Sequence, residues 1–347
     1  MVYNCLHDAE SGILYPNGGV PVMKKLTTFL ALAMLLTAIF ACGAQAATTI
    51  KIGHVLNTDH SWHKCLSGFA EDVKKATKGS VEIKIYPSGQ LGNEKDMVEG
   101  IAMQTIDGGL IGGGSFQPIE PTAGIEALPY AWPTHEAAYK AYDGKLGAAI
   151  LGKLEKKGVI GLAWWENGFR NITNNKRPIV KPEDLKGVKI RVTPDKMRLD
   201  TFNTLGSTPM PIAFGELYSA LQQGVVDAQE NPYAIIYSNA FYEVQKYLSI
   251  SNHIWGSALL SVNKTVWKKL SPADQKAVLA AAKKWCKIQR DMTKKDEADC
   301  LAKLKAKGMK VNTIDVKAFQ KAVAPVWKKY EAEFGKDTID LVRKYGK

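Results

Sequence analysis

The sequence predicts an α/β protein of two lobes, with one long helix in contact with both. Three observations carry that expectation. The chain has 347 residues, 46% hydrophobic and 23% charged, the balance of a globular protein and more chain than a single small core needs. Strand and helix periodicities alternate from residue 49 onward, which calls for a largely parallel sheet with helices on its faces. A helical pattern then runs from 272 to 307, about 54 Å at the usual rise. A lobe of about 150 residues has a radius of gyration near 15 Å, so such a helix must touch both lobes.

An export segment precedes the fold. Lys24 and Lys25 lead into an apolar stretch from Leu26 to Ala41, followed by Ala44-Gln45-Ala46: a basic start, a short apolar centre and small residues at the cleavage point. The stretch is short for a membrane span. The acids and prolines of residues 1–22 place the true start at Met23, and cleavage after Ala46 gives a soluble product outside the inner membrane. A lipoprotein anchored through Cys42 is the alternative, disfavoured by bulky Phe40 two residues earlier. The expected location is the periplasm, with no membrane span in the mature chain.

Charge and cysteines narrow the function classes. Lys plus Arg number 46 against 34 Asp plus Glu, a net +12. The excess is spread along the chain with no basic run of five, which argues against nucleic acid and suits attraction of a small anion. Of five cysteines, Cys5 and Cys42 leave with the export segment. Cys286 and Cys300 lie roughly 21 Å apart along a helix, too far to bridge, and Cys65 sits on an apolar helix face. All three read as buried thiols. Neither CxxC nor HExxH occurs, so no metal and no cofactor is expected.

The elements follow in order. Thr49 to Ile52 alternates as a strand ending at Gly53-His54. Trp62, Cys65, Leu66, Phe69 and Val73 recur at helical spacing, closed by Gly79. Val81, Ile83 and Ile85 mark a second strand, and Asn93 caps a helix through Met97, Val98 and Ile101. Ligands of such sheets sit beyond the carboxyl ends of the strands, where His54 and the glycines 112–114 fall. A second α/β run starts near 168. Val188, Ile190 and Val192 share one strand face, leaving Lys189 and Arg191 on the other. Residues 216–223 read as a helix and Val225-Val226-Asp227 as a short strand, with Asn231-Pro232 as a break. Ser271 caps the long helix with Pro272 in its first turn; a kink at Lys294-Lys295-Asp296 would shorten its reach. One amphipathic helix through Phe319, Val323, Trp327, Tyr330 and Phe334 ends the chain.

Few residues suggest chemistry. Arg191 and Arg170, both near the start of the second lobe, suit a carboxylate, because a guanidinium meets its two oxygens with paired charge-assisted hydrogen bonds; either one alone reads first as a solvated arginine. Asn231 is a turn residue or a ligand contact, Phe214 a core staple or a pocket wall. Trp164, Trp165 and Trp255 read as packing residues. No Walker loop, GxSxG or acid–base carboxylate pair is visible, so the sequence does not read as an enzyme.

The segment 206–232, GSTPMPIAFGELYSALQQGVVDAQENP, resembles the hallmark segment of the solute-binding proteins of tripartite ATP-independent periplasmic (TRAP) transporters, the DctP type. YPSGQLG (86–92), ALPY (127–130), DLKGVKIRV (184–192), FYEVQK (241–246) and NHI (252–254) extend the resemblance over nearly the whole mature chain. It implies a periplasmic-binding-protein fold whose two lobes close on an organic acid for delivery to a membrane permease pair. The lobes are expected over 47–167 plus 257–298 and over 168–256 plus 299–347, hinged near 167 and 256. By position, Arg191 becomes the principal carboxylate-binding arginine and Arg170 a second basic contact. Phe214 and Asn231 fall on ligand-lining positions, and His54 and Trp255 beside them. Relatives that bind sialic acid carry an acid and an arginine where this chain has Gly112 and Ser115, and polar side chains at Val55, Ile111, Pro194 and Ala258. The expected ligand is therefore a less polar monocarboxylate, of which an aromatic acid is one candidate. Some relatives hold a metal through a Trp-Glu pair; Trp255-Gly256 lacks the acid. A ligand sensor for a signalling kinase and an exported enzyme are the alternatives to transport.

Overall fold

Two long strands organise the molecule. In the computed structural model, which describes residues 47–346, β4 (Val159–Asn174) and β8 (Tyr247–Asn263) run antiparallel through the middle of a nine-stranded sheet. The export segment expected over 1–46 lies outside the described residues. On one side of the central pair stand β1 (Thr48–Gly53), β2 (Val81–Tyr86) and β3 (Gly108–Gly112), with β1 parallel to both β2 and β3. On the other stand β5 (Lys189–Val192), β6 (Thr208–Pro211) and β7 (Ala228–Asn231), with β5 parallel to both neighbours. The order is β2-β1-β3-β8-β4-β7-β5-β6, and β9 (Lys310–Thr313) adds to β8. The sheet is thus two parallel wings joined by an antiparallel centre, not the largely parallel sheet that alternation alone suggests.

The central strands are long because both of their faces are covered. Trp164 packs into the apolar cluster on one face and Trp165 into the cluster on the other, as do Leu259 and Leu260, the alternation a strand requires. Helices α2 (Glu94–Ala102), α3 (His135–Tyr142), α4 (Lys145–Lys156) and α5 (Lys196–Thr204) cover the first face. Helices α1 (Ser61–Ala76), α6 (Leu217–Gln222), α7 (Tyr233–Ser238) and the short α8 (Lys264–Lys268) lie on the second, with α9 (Pro272–Ala306). The ladder between β4 and β8 shifts register between Glu166 and Gly168 and again between Arg170 and Ile172. Gly168, at φ +119°, pairs with Gly256 there, a backbone conformation that a side chain would strain.

Helix α9 runs unbroken through Lys294-Lys295-Asp296, capped by the Ser271 side chain on the Asp274 amide. It packs on α1, on β4 and on α7, so it spans both wings. Cys65, Cys286 and Cys300 are free and buried.

Two local expectations need correction. The strand read at Val225-Val226-Asp227 forms instead at Ala228–Asn231, and Val225 is exposed; β-branched residues signalled a strand where the chain is still turning out of a helix. The single terminal helix is three: α10 (Val316–Ala322), α11 (Ala324–Phe334) and α12 (Lys336–Tyr345). Pro325 falls in the first turn of α11 and Gly335, at φ +83°, separates α11 from α12, positions where each residue interrupts a helix at low cost. Helix α12 packs on α3 and α4, so the chain's end returns to the first wing.

Candidate functional site

β5 and the crossing strand β4 deliver two arginines, and the carboxyl end of β7 brings Glu230 and Asn231 to them. Arg191, third residue of β5, is only 2% exposed. Its Nε donates to the Ile212 carbonyl at 2.8 Å, and its guanidinium carbon lies 6.0 Å from the centre of the Phe214 ring. No carboxylate forms an ion pair with it among the described residues. Burial, with the like charge of Arg170 nearby, pulls its pKa down to about 10.

Arg170, on β4, is equally buried but fully matched. Its Nε and one terminal nitrogen clasp the carboxylate of Glu230 on β7, and that nitrogen also reaches the Asn231 side-chain oxygen at 2.9 Å. Burial alone would raise Glu230, yet Arg170, His253 and Arg198 hold its carboxyl well below the usual range. His253 approaches it at 3.2 Å and is itself held by Ser251 at 2.8 Å. Asn231 in turn donates to Gln229 at 2.6 Å. Arg170 is therefore a fixed part of the wall, whereas Arg191 has an unanswered charge.

The cavity these residues share lies between the wings. Val55, Leu56 and Trp62 close it from the first wing, Asn167 and Arg170 from the crossing strand, and Arg191, Thr193, Phe214 and Asn231 from the second. Open parallel sheets bind ligands at this kind of crevice beyond strand ends. Glu94 enters it too, from the first turn of α2, accepting from the Gly112 amide at 2.9 Å and the Ser115 hydroxyl at 2.8 Å. The cavity and a companion beside Lys95 and Pro194 hold only about 20 and 30 Å³ of water-accessible space, room for one or two waters each. A larger guest requires the wings to part.

Four of the six residues singled out from the sequence thus meet here. His54 and Trp255 do not border the cavity. His54 is buried against His63, with ring nitrogens 3.1 Å apart, and burial with that neighbour pulls it down to about 4. Trp255 packs on Tyr139 and Tyr142 in the core of the first face and donates to Glu166 at 2.5 Å.

The sequence reading missed the carboxylates. Neither Gly112 nor Ser115 is an acid, but Glu94 brings a carboxylate to both from another element. Its position just after the Asn93 cap disguised it as a residue complementing the helix dipole. Glu166, Glu230 and Glu126 are buried, Glu94 only partly; the available signal was an acid inside a strand, Trp164-Trp165-Glu166 and Ala228-Gln229-Glu230. Glu166 accepts from His135 at 2.6 Å, Tyr139 at 2.5 Å and Trp255, and the other His135 nitrogen meets Glu297 on α9 at 3.1 Å. Two carboxylates on the two ring nitrogens require an imidazolium. Burial opposes that charge, but Glu166 and Glu297 hold His135 up to about 10.

The chain is similar to known proteins over most of its length. Residues 52–333 match the model of the bacterial extracellular solute-binding proteins, family 7. The 2,3-diketo-L-gulonate-binding periplasmic protein of Escherichia coli is 33% identical over 302 residues, 87% of this chain and 92% of that protein. A TRAP periplasmic solute-binding protein from Polaromonas, solved with D-erythronate, is 39% identical with a TM-score of 0.83, covering 85% of this chain and 98% of that one. The sugar acid-binding protein of Advenella mimigardefordensis, solved with galactonate, is 32% identical with a TM-score of 0.84, over 86% and 98%. The two-lobed fold, the crossing strands and the long helix are those of these structures. The chain belongs to the family 7 extracellular solute-binding proteins, the organic-acid-binding proteins of TRAP transport.

Proposed function

We propose that the protein captures a small hydroxylated monocarboxylate in the periplasm and hands it to the membrane permease of a TRAP transporter. The observation that carries this reading is Arg191, a buried guanidinium facing the crevice with no carboxylate partner among the described residues. A buried unpaired charge is costly, and an incoming carboxylate relieves that cost with bidentate hydrogen bonds. Phe214 lies against the same group, and Arg170, held by Glu230, adds positive potential without giving up its own partner.

Polar groups around Arg191 favour hydroxyls on the ligand over an aromatic ring. The side-chain oxygen of Asn167 is buried with no donor, and Glu94 borders the same cavity with Thr193. Relatives whose structures hold D-erythronate, galactonate, β-D-galacturonate and D-glucuronate support a hydroxy acid. Family membership supports export and the permease partner; closure of the wings about the bulge at Glu166–Gly168 would exclude water and strengthen the ion pair.

A thermal-shift screen of D-erythronate, galactonate, glucuronate, succinate and phenylacetate tests this. A ligand at a hundred times its dissociation constant adds about 2.7 kcal/mol of stability. The expected result is a shift from at least one hydroxy acid, reduced in Glu94→Gln because a hydrogen bond to a charged acceptor contributes about 1.5–3 kcal/mol. Stabilisation by phenylacetate alone, or by none of the acids, would refute the proposal.

A further inference from the structure

A second cavity, larger than the crevice at Arg191, opens elsewhere among the described residues. It is a groove of about 620 Å³ on the far side of β4, between α3, α4 and α9, within the size range of small-molecule sites. Leu151, Leu162 and Ala163 make an apolar floor beside the ring of Trp164. One face of α9 forms the opposite wall with Lys283, Lys287, Arg290 and Lys294 at successive spacings of four, three and four, which places them in a row.

Two of these cations are matched and two are not. Both terminal nitrogens of Arg290 reach the Asp143 carboxylate at 2.7 and 2.8 Å, and Lys294 reaches Glu136 at 2.8 Å. Lys283 and Lys287 form no ion pair among the described residues, and the unpaired acid on this wall is Asp291. Two buried donors bordering the groove also lack acceptors, the indole Nε1 of Trp164 and the Nε of Arg290. Trp164 is 4% exposed and Arg290 7%.

We propose that this groove is a second ligand site, for a monocarboxylate carrying an apolar tail. The tail lies on the leucine and tryptophan floor, where burial of apolar surface drives binding, and the carboxylate meets Lys283 and Lys287. The site differs from the crevice, which is narrow and centred on one buried arginine. The groove shares no lining residue with that crevice, so the proposal does not depend on the function assigned to it.

Calorimetric titration of decanoate into the mature protein tests the assignment. Binding at one equivalent is expected in the wild type and in Arg191→Ala. The double substitution Lys283→Glu with Lys287→Glu should weaken it tenfold or more. Ala148→Trp, at an exposed α4 position on the rim, should abolish it by filling the groove; a melting curve confirms that this variant folds. Decyltrimethylammonium, with the same tail and opposite charge, should not bind. The proposal is overturned if decanoate does not bind the wild type at millimolar concentration. Loss of binding in Arg191→Ala, survival of the charge reversal, or equal affinity for the cation also overturns it.

Discussion

Replacing Arg191 by methionine should push two measurements in opposite directions. In the ligand-free protein the guanidinium is buried and, among the described residues, bonded only to the Ile212 carbonyl, and burial pulls its pKa down to about 10. A base whose pKa falls on folding destabilises the fold wherever the unfolded chain still holds the proton. The cost is therefore complete below pH 10 and disappears only where the unfolded side chain has also lost its proton. At 1.36 kcal/mol per unit this amounts to about 3 kcal/mol, against which the lost bond to Ile212 removes about 0.5–1.5 kcal/mol. Arg191→Met should therefore be more stable without ligand by roughly 1–3 kcal/mol, a rise in melting temperature of about 2–5 °C. Ligand affinity should collapse, because the guest's carboxylate would be buried without its partner. That costs about 3–5 kcal/mol, or roughly two to four orders of magnitude in Kd. Differential scanning calorimetry and titration calorimetry with the acid found by the screen read the two effects. A melting temperature that falls while affinity changes less than tenfold would show that Arg191 is a structural residue already satisfied, and would remove the basis of the proposed function.

Other perturbations separate binding from scaffolding. Because folding raises His135 from 6.5 to about 10 through Glu166 and Glu297, its contribution is whole below pH 6.5 and is lost as pH rises through 10; the melting-temperature gap between wild type and His135→Gln should shrink across that window, and a gap independent of pH would contradict the imidazolium. Glu230→Gln strips Arg170 of its buried carboxylate and should cost about 3–5 kcal/mol in denaturant melts, where a loss below 1 kcal/mol would show that Asn231 alone suffices.

Much of the architecture was legible because it is local. The 2-residue and 3.6-residue periods of β1, α1, β2 and α2 are written in consecutive side chains, as are the Ser271 cap and Pro272 of α9. The length of that helix alone required contact with both halves. The resemblance to TRAP solute-binding proteins rested on ordered motifs of the same local kind. The strand at 225–227 and the single terminal helix went wrong where a propensity signal met a turn or a proline that the period does not register.

What the sequence by itself determined was the set of elements, the family, and four residues that meet in one crevice: Arg191, Arg170, Phe214 and Asn231. Only the tertiary structure decided which of the two arginines has its charge free. Arg170 and Glu230 are sixty residues apart, as Glu94 and Ser115 are twenty-one, and nothing in either local sequence announces the pairing. A charge's value in a binding site depends on what else the fold brings within a few ångströms and how much water it leaves, and both are properties of contacts between distant segments.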